Sequence, residues 1–216
     1  MSKDFLNYEQ QIDLLKKKKL IIPDEEVAKS VLKRTSYFAL INGYKKVFKS
    51  DDGNYLPTAT FDHIVALYDF DVQLSDLFIK YILIFEREIK SHISYYFSNE
   101  YPNSYHDYTN VNNYNYADEN NRIGILELVS ILNSLRLGKK PEYISHYHKK
   151  HKGEIPLWVL IKNMSFGQIS KMYAFLTQKL QDQIANEFEV SNKELCCILS
   201  FMTYFRNVCA HNERLY

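Results

Sequence analysis

The sequence is poor in the two residues that most often interrupt regular backbone, with 6 glycines and 5 prolines among 216 residues. Because both favour turns, their scarcity predicts long helices joined by few extended loops. No apolar run approaches the roughly 20 residues that cross a bilayer, and the polar segment 1–11 has no signal-peptide core. These absences argue against a membrane or secreted protein and predict a cytoplasmic one.

Cysteine is also rare, and its spacing does not suit the common cysteine-based sites. Cys196 and Cys197 are adjacent, Cys209 stands apart, and no Cys-x-x-Cys occurs. Adjacent cysteines rarely pair with each other, so we expect reduced, buried thiols. Charge is balanced, with 27 basic and 26 acidic residues and a net charge of +1. Any RNA-binding surface must therefore be a local patch.

Apolar residues recur at helical spacing through most of the chain, and no stretch alternates apolar and polar residues convincingly. We therefore predict an all-α protein, a helical bundle. The longest helix is predicted to begin at Thr60 as its N-cap and to end before Pro102. Its predicted apolar stripe consists of Leu67, Leu74, Phe78, Tyr81, Phe85, Ile89, Ile93 and Tyr96.

Capping and turn residues indicate where the other helices begin and end. The predicted segments are 4–19, a helix that starts at Pro23-Asp24, 119–137, 141–150, 166–175, and a last helix that begins at Ser191 with Glu194 as a capping box. The segment 99–121, rich in Asn and Tyr, is predicted as a loop. We expect a single domain, with an N-terminal helical extension over 1–55 and a helical core over 60–216.

The pattern with most chemical content is Arg206 followed five residues later by His211. This spacing occurs by chance about once in a chain of this size, and Arg87 with His92 is a second instance. Register distinguishes the two pairs. Arg206 falls in the apolar stripe of the last helix, where an unpaired charge is costly. Arg87 faces away from its stripe, so we predict solvent for Arg87 and a core or interface position for His92.

These residue types suit metal-independent RNA cleavage, in which the 2′-hydroxyl attacks the adjacent phosphate. His211 can move the proton, and Arg206 can hold the phosphate and stabilise its developing charge. Asn207 shares a helical face with His211 and can orient it, and Tyr204 lies close to that face. The reaction leaves a 2′,3′-cyclic phosphate. Spacing alone favours a structural interpretation instead, a helix-end histidine and an ion-paired arginine.

Several separate segments resemble those of the Abi-like (AbiD/AbiF) abortive infection family. The ending FRNVCAHNERLY at 205–216 is similar to its LRN-x-CAH-x-x-RL motif. The segment IPLWVLIKNMSFGQISKMY at 155–173 is similar to its PLW…SFG…S-K-Y stretch. YEQQIDLLKKKKLII, TSYFALINGYKKVF, LYDFDVQLSDLF and IFEREIKSHISYY resemble the family as well. The resemblance covers nearly the whole sequence.

The resemblance implies a HEPN-type all-α fold and a toxin-like ribonuclease of antiphage abortive infection that needs no cofactor. HEPN ribonucleases generally form homodimers that bring two Arg/His motifs into one composite cleft. When the family's motif is carried over to this sequence, Arg206 and His211 are implied to be catalytic and Asn207 to assist them. The resemblance also implies that Glu86 could pair with Arg206. An RNA substrate and a cognate small noncoding RNA or antitoxin are the implied partners.

Two other functions stay open beside cleavage. The first is an RNA-binding HEPN module that holds a small noncoding RNA without cutting it. The second is a helical interaction protein in which Arg206 seals a dimer interface. The two basic segments that could contact RNA are Lys16, Lys17, Lys18 and Lys19, and then His146, His148, Lys149 and Lys150.

Plainer interpretations accompany these weaker signals. The lysine run also suits a solvated helix end. The histidines, together with His151, could form a metal cluster, although their spacing does not place them on one helical face. For the tyrosines of 99–121, packing is favoured over stacking on bases. Trp158 and Phe166 are expected in the core, and Gly167 is expected to meet a backbone requirement at a helix junction.

Overall fold

The computed structural model describes residues 4–102, 105–138, 141–150, 154–211 and 213–215, and it confirms the all-α prediction. Within these residues ten α-helices follow in order: α1 Tyr8–Lys17, α2 Glu25–Thr35, α3 Phe61–Glu100, α4 Tyr105–Tyr108, α5 Arg122–Leu137, α6 Glu142–Lys150, α7 Leu157–Leu160, α8 Phe166–Phe175, α9 Gln178–Asn186 and α10 Asn192–Ala210. A π-helical turn, Phe38–Asn42, and four short 3₁₀ segments complete the described helices. These ranges contain isolated β-bridges but no strand.

The chain divides into two compact units, each with an apolar core. The first unit contains Met1–Leu77 and Val208–Tyr216, and the second contains Phe78–Asn207. The divisions fall within α3 and near the end of α10, so both helices contribute residues to each unit. One division also separates Arg206 from His211 along α10 and the turn that follows it.

Local capping starts the helices of the first unit. The side chains of Asn7 and Gln10 each accept a hydrogen bond from the other residue's backbone N–H at 2.9 Å, which begins α1. Asp24 caps α2, and the hydroxyl of Thr60 accepts from the N–H of His63 at 3.1 Å, which confirms the predicted start of α3. The core of this unit consists of Ile12, Leu15, Leu20, Ala28, Leu32, Leu40, Ile41, Tyr44, Tyr55, Ala59, Phe61 and Ile64.

The second unit is built around the C-terminal half of α3. Ile89, Ile93 and Phe97 of that half are buried in a core to which α5, α8, α9 and α10 also contribute. Phe85 packs its ring against Phe166 and Phe188, with centroid distances of 6.5 and 5.0 Å. Aromatic packing therefore extends from α3 to α8 and to the segment that follows α9.

The Asn- and Tyr-rich segment after α3 is anchored by two buried tyrosines. The hydroxyl of Tyr108 donates to the carbonyl oxygen of Ile155 at 2.8 Å, and the hydroxyl of Tyr114 donates to the carbonyl oxygen of Tyr108 at 2.8 Å. Burial raises the pKa of Tyr114, so its hydroxyl acts as a neutral donor. Packing, rather than stacking on bases, is confirmed for these two side chains.

Three predictions about packing are wrong. Tyr81, predicted in the apolar stripe of α3, is 58% exposed, and Ile82 is buried instead. Both positions fit the helical spacing between Phe78 and Phe85, so periodicity does not distinguish them. Trp158 is 56% exposed. Gly167 lies inside α8, and its backbone is not in the left-handed region, so the predicted backbone requirement for glycine is absent. A Cβ at this position would lie 3.4 Å from Cγ2 of Thr203, an ordinary contact distance.

Candidate functional site

Helix α10 carries the candidate residues toward its C-terminal end. Its start is fixed by a capping box, in which the N–H of Ser191 donates to Oε2 of Glu194 at 2.8 Å and the N–H of Glu194 donates to Oγ of Ser191 at 3.2 Å. The N–H and the hydroxyl of Ser191 both donate to the carboxylate of Glu194 and lower its pKa. Leu195 and Leu199 are fully buried. The capping box is thus confirmed, and the buried leucines fix which side of α10 faces the core.

Arg206 is half-buried on α10, and it makes no ion pair within the described part of the chain. Its Nε is buried and has no hydrogen-bond partner. The preceding ring, Phe205, packs against Phe78 at 5.7 Å and Phe201 at 4.5 Å between centroids. A half-buried guanidinium without a counter-charge is stabilised by an anionic oxygen. Arg206 can therefore accept a phosphate without breaking an existing pair.

Asn207 and His211 are both exposed. Asn207 lies in the last turn of α10, which ends at Ala210, and His211 lies in the turn that follows. Tyr204 is 64% exposed, and its ring meets Phe205 edge-on at 5.4 Å. The proposed general acid/base, His211, and its two candidate supporting residues, Asn207 and Tyr204, are therefore all accessible to solvent.

Glu86 does not pair with Arg206. Its Oε1 lies 2.7 Å from Nζ of Lys90, one turn further along α3, and its Oε2 is buried without a hydrogen bond. Within the described residues no ion pair joins Glu86 to Arg206. The expectation of such a pair is wrong, because the cation that α3 itself supplies already compensates the carboxylate.

The backbone after His211 is held by residues of the first unit. The N–H of Leu215 donates to Oδ1 and Oδ2 of Asp71 at 3.3 and 3.4 Å. Oδ2 also accepts from the hydroxyl of Tyr44 at 2.7 Å. The guanidinium of Arg214 donates to the carbonyl oxygen of Gly43 at 2.6 Å. The last described residues are therefore tied to α3 and to the turn that precedes the 3₁₀ segment Lys45–Phe48.

The sequence interpretation missed Asp71, although a signal for it exists. Asp71 occupies the stripe position between Leu67 and Leu74, at spacings of four and three residues. It is 2% exposed, one of the few polar side chains buried in the described chain. A carboxylate in an apolar stripe indicates a buried donor nearby. No sequence pattern indicated that the donors would be Tyr44 and Leu215.

The lysine run near the end of α1 is partly engaged. Lys16 forms an ion pair with Glu25, and Lys18 is the half-buried C-cap of α1. Burial and the nearby charge of Lys18 lower the pKa of Lys49. Lys17 and Lys19 are exposed. The first unit therefore concentrates positive charge here. Lys17 and Lys19 are accessible to a ligand and form no ion pair with the residues that the structure describes.

The basic segment of α6 is also partly engaged. His148 donates from Nε2 to the carbonyl oxygen of Arg136 at 2.7 Å, whereas His146, Lys149 and Lys150 are exposed. His151 lies outside the described residues. Across the part of the chain that the structure describes, no group of three or more His, Cys, Asp or Glu side chains could hold a metal ion. Among the same residues, no helix is both long and apolar enough to span a membrane.

The second Arg-x4-His pair provides an internal comparison. Arg87 is exposed on α3, as predicted. His92 is half-buried, and its ring meets Phe188 edge-on at 5.3 Å between centroids. One member of this pair is thus engaged in packing, whereas the histidine of the C-terminal pair is exposed.

Comparison with known proteins gives one match. No curated protein and no solved structure matches the chain. The model of the family described as Abi-like protein matches residues 30–216, a range that contains the end of α2, all of α3–α10 and every residue of the C-terminal motif. The chain belongs to the Abi-like protein family.

Proposed function

We propose that the protein is a metal-independent endoribonuclease of abortive infection, with Arg206, Asn207 and His211 as its catalytic group. The observation that carries the proposal is the half-buried guanidinium of Arg206, which forms no ion pair with any residue that the structure describes. The exposed Asn207 follows it on α10, and the exposed His211 lies in the turn after that helix. A site poised for an anion, followed by an accessible histidine, suits phosphodiester cleavage. Membership of the Abi-like family supports the role in defence.

Each side chain has a defined task in the proposed reaction. His211 takes the proton of the 2′-hydroxyl as that oxygen attacks phosphorus, and imidazole suits this work near neutral pH. Arg206 holds a non-bridging phosphate oxygen and stabilises the charge that develops on it. Asn207 orients the imidazole or donates to the phosphate. The bond to the 5′-oxygen breaks, which leaves a 2′,3′-cyclic phosphate and a 5′-hydroxyl.

A homodimer with a composite site belongs to this proposal. Phe201 and Tyr204 are exposed on α10 by 62 and 64%, on the turns that precede Arg206. Exposed aromatic side chains next to polar groups are typical of protein interfaces. A second copy packed on this part of α10 would bring a second Arg206 and His211 near the first pair. Sedimentation of Phe201→Asp against wild type tests this pairing.

Cleavage of a labelled RNA pool in EDTA tests the activity. Wild type is expected to produce 2′,3′-cyclic phosphate ends, and His211→Ala is expected to lose on the order of 100-fold or more in rate. Arg206→Ala is expected to lose cleavage while retaining the dimer, which separates a phosphate-binding role from an interface role. If His211→Ala cuts at the wild-type rate, another residue performs the chemistry and the proposal fails.

RNA binding without cleavage is the second candidate, favoured by the exposed cations of two segments. Lys17 and Lys19 in the first unit, and Lys149 and Lys150 in the second, are all solvent-facing. Under this alternative the wild type and His211→Ala shift a small noncoding RNA equally on a gel, and neither cuts it. The shift is expected to weaken steeply with salt, because lysine–phosphate contacts release counterions.

A further inference from the structure

The segment that follows His211 is fastened at two places in the first unit. The N–H of Leu215 donates to both carboxylate oxygens of Asp71, at 3.3 and 3.4 Å. The two hydrogen bonds share one donor, the backbone N–H of Leu215. Asp71 therefore holds the backbone of this segment, whichever side chain stands at position 215. Arg214 adds its 2.6 Å hydrogen bond to the carbonyl oxygen of Gly43. His211 is only a few residues from both contacts, which limits how far it can move.

Asp71 is a rigid anchor for this segment. It is 2% exposed, and the hydroxyl of Tyr44 donates to its Oδ2 at 2.7 Å. Tyr44 is buried in the core of the first unit, where its ring packs edge-on against Tyr68 at 5.6 Å. Displacing the carboxylate would break its hydrogen bond with Tyr44 and disturb a buried charge, which is costly. The segment that follows His211 is therefore attached to the core of the first unit through Asp71.

The chain is also held on the other side of His211. The N–H of Glu213 donates to the carbonyl oxygen of Val208 at 3.0 Å and closes the turn that contains the histidine. Val208 and Cys209, which precede the histidine, are both buried. The residues before and after His211 are therefore both held by contacts within the first unit.

We propose that Asp71, with Tyr44 behind it, is a positioning residue for His211. Its carboxylate fastens Leu215 and thereby sets the place of the imidazole during cleavage, without contact between Asp71 and RNA. This inference rests on the proposed ribonuclease function and deepens it. A misplacement of about 1 Å costs on the order of 100-fold in rate. Loss of the anchor is therefore expected to lower turnover and to leave RNA affinity nearly unchanged.

Steady-state cleavage by Asp71→Asn and Tyr44→Phe tests the positioning role. The amide of Asn presents a donor where only acceptors fit, and Phe removes a single hydroxyl while keeping the ring. We expect kcat to fall by about tenfold or more in Asp71→Asn, and less in Tyr44→Phe, with KM within about twofold. Asp69→Asn, an exposed position on the same helix, is the matched control and keeps wild-type kcat.

A second readout does not depend on cleavage. With Cys196→Ser and Cys197→Ser, Cys209 is the remaining thiol of the chain, and its alkylation rate measures how often the segment opens. Because the charge of Asp71 itself raises the pKa of Cys209, rates are compared per thiolate, after titration of Cys209 in each variant. Asp71→Asn is then expected to be alkylated about tenfold faster than its parent, because fastening worth one buried hydrogen bond is lost. Arg214→Ala is expected to act in the same direction, and Arg214→Lys, which keeps a donor, to restore most of the protection.

The two readouts separate the possible failures. Faster alkylation with unchanged kcat means that Asp71 fastens the segment but does not position His211, which overturns the proposal. Unchanged alkylation and unchanged kcat overturn the anchor as well. If the wild type cuts no RNA, the ribonuclease function falls and the positioning role falls with it, while alkylation still decides whether Asp71 holds the segment.

Discussion

Glu86 and Lys90 form an ion pair on α3 with 2.7 Å between Oε1 and Nζ, and each side chain is only 13% exposed. Because Oε2 of Glu86 is buried without a hydrogen bond, the lysine provides the main compensation for its charge. Lys90→Met is therefore expected to lower the free energy of unfolding by about 3–5 kcal/mol. Urea denaturation measures the loss, and Lys80→Met, at an exposed position of the same helix, is the control.

The double variant Glu86→Gln/Lys90→Met tests the cause of that loss. It removes both charges and leaves no buried ion, so it is expected to recover most of the stability. A double variant as unstable as Lys90→Met would show that packing of the lysine stem, rather than compensation of Glu86, was lost.

The second Arg-x4-His pair is expected to be irrelevant to cleavage. Arg87→Ala removes an exposed side chain and is expected to leave cleavage within about twofold of wild type. His92→Ala removes the ring that packs on Phe188, so it is expected to lower stability by about 1 kcal/mol. The cleavage rate and the free energy of unfolding in urea are measured for both variants and for wild type. A large loss of kcat in Arg87→Ala would mean that the wrong arginine has been assigned to phosphate.

The three cysteines are expected to react with iodoacetamide in the order of their exposure. Cys197 is exposed, whereas burial raises the pKa of Cys196 and Cys209. A raised pKa means less thiolate at a given pH, so these two thiols react more slowly near pH 8 and speed up as pH increases. Peptide mass spectrometry after timed quenching gives the three rates. Early labelling of Cys209 would contradict its protected position.

The hydrogen bond from Tyr108 to the carbonyl oxygen of Ile155 is expected to stabilise the second unit. Tyr108→Phe keeps the buried ring but leaves that carbonyl without this donor, at a cost of about 1–3 kcal/mol. Tyr95→Phe, at a position 66% exposed, is expected to change stability by less than about 0.5 kcal/mol. Thermal or urea unfolding compares the two variants. Equal stability would indicate that water replaces the hydroxyl.

Gly124 in α5 is expected to tolerate no larger side chain. A Cβ there would lie 2.4 Å from Cζ of Phe175, so the ring would have to move. Gly124→Ala is therefore expected to cost about 1–3 kcal/mol despite the higher helix propensity of alanine. Gly43→Ala, where nothing lies within 4 Å of the added carbon, is the matched control. If both variants were stabilised, the ring of Phe175 would move aside at no measurable cost, which would contradict the prediction.

Helix boundaries could be predicted from the sequence because capping acts over three or four residues. Thr60 starts α3, and Ser191 with Glu194 starts α10, through hydrogen bonds between near neighbours in the chain. The placement of Arg206 on the apolar side of α10 follows from register alone, which is also local. The motif residues could be named before any packing was known because the segment 205–216 resembles the corresponding motif of the Abi-like family.

Partners distant in sequence could not be predicted, because they depend on which surfaces meet. Periodicity did not choose between Tyr81 and Ile82, since each completes the stripe and only the packed neighbours exclude one of them. Nor did it indicate that Leu215, 144 residues away, would donate to Asp71. A buried carboxylate must find a donor, and the folded chain determines which donor is within reach.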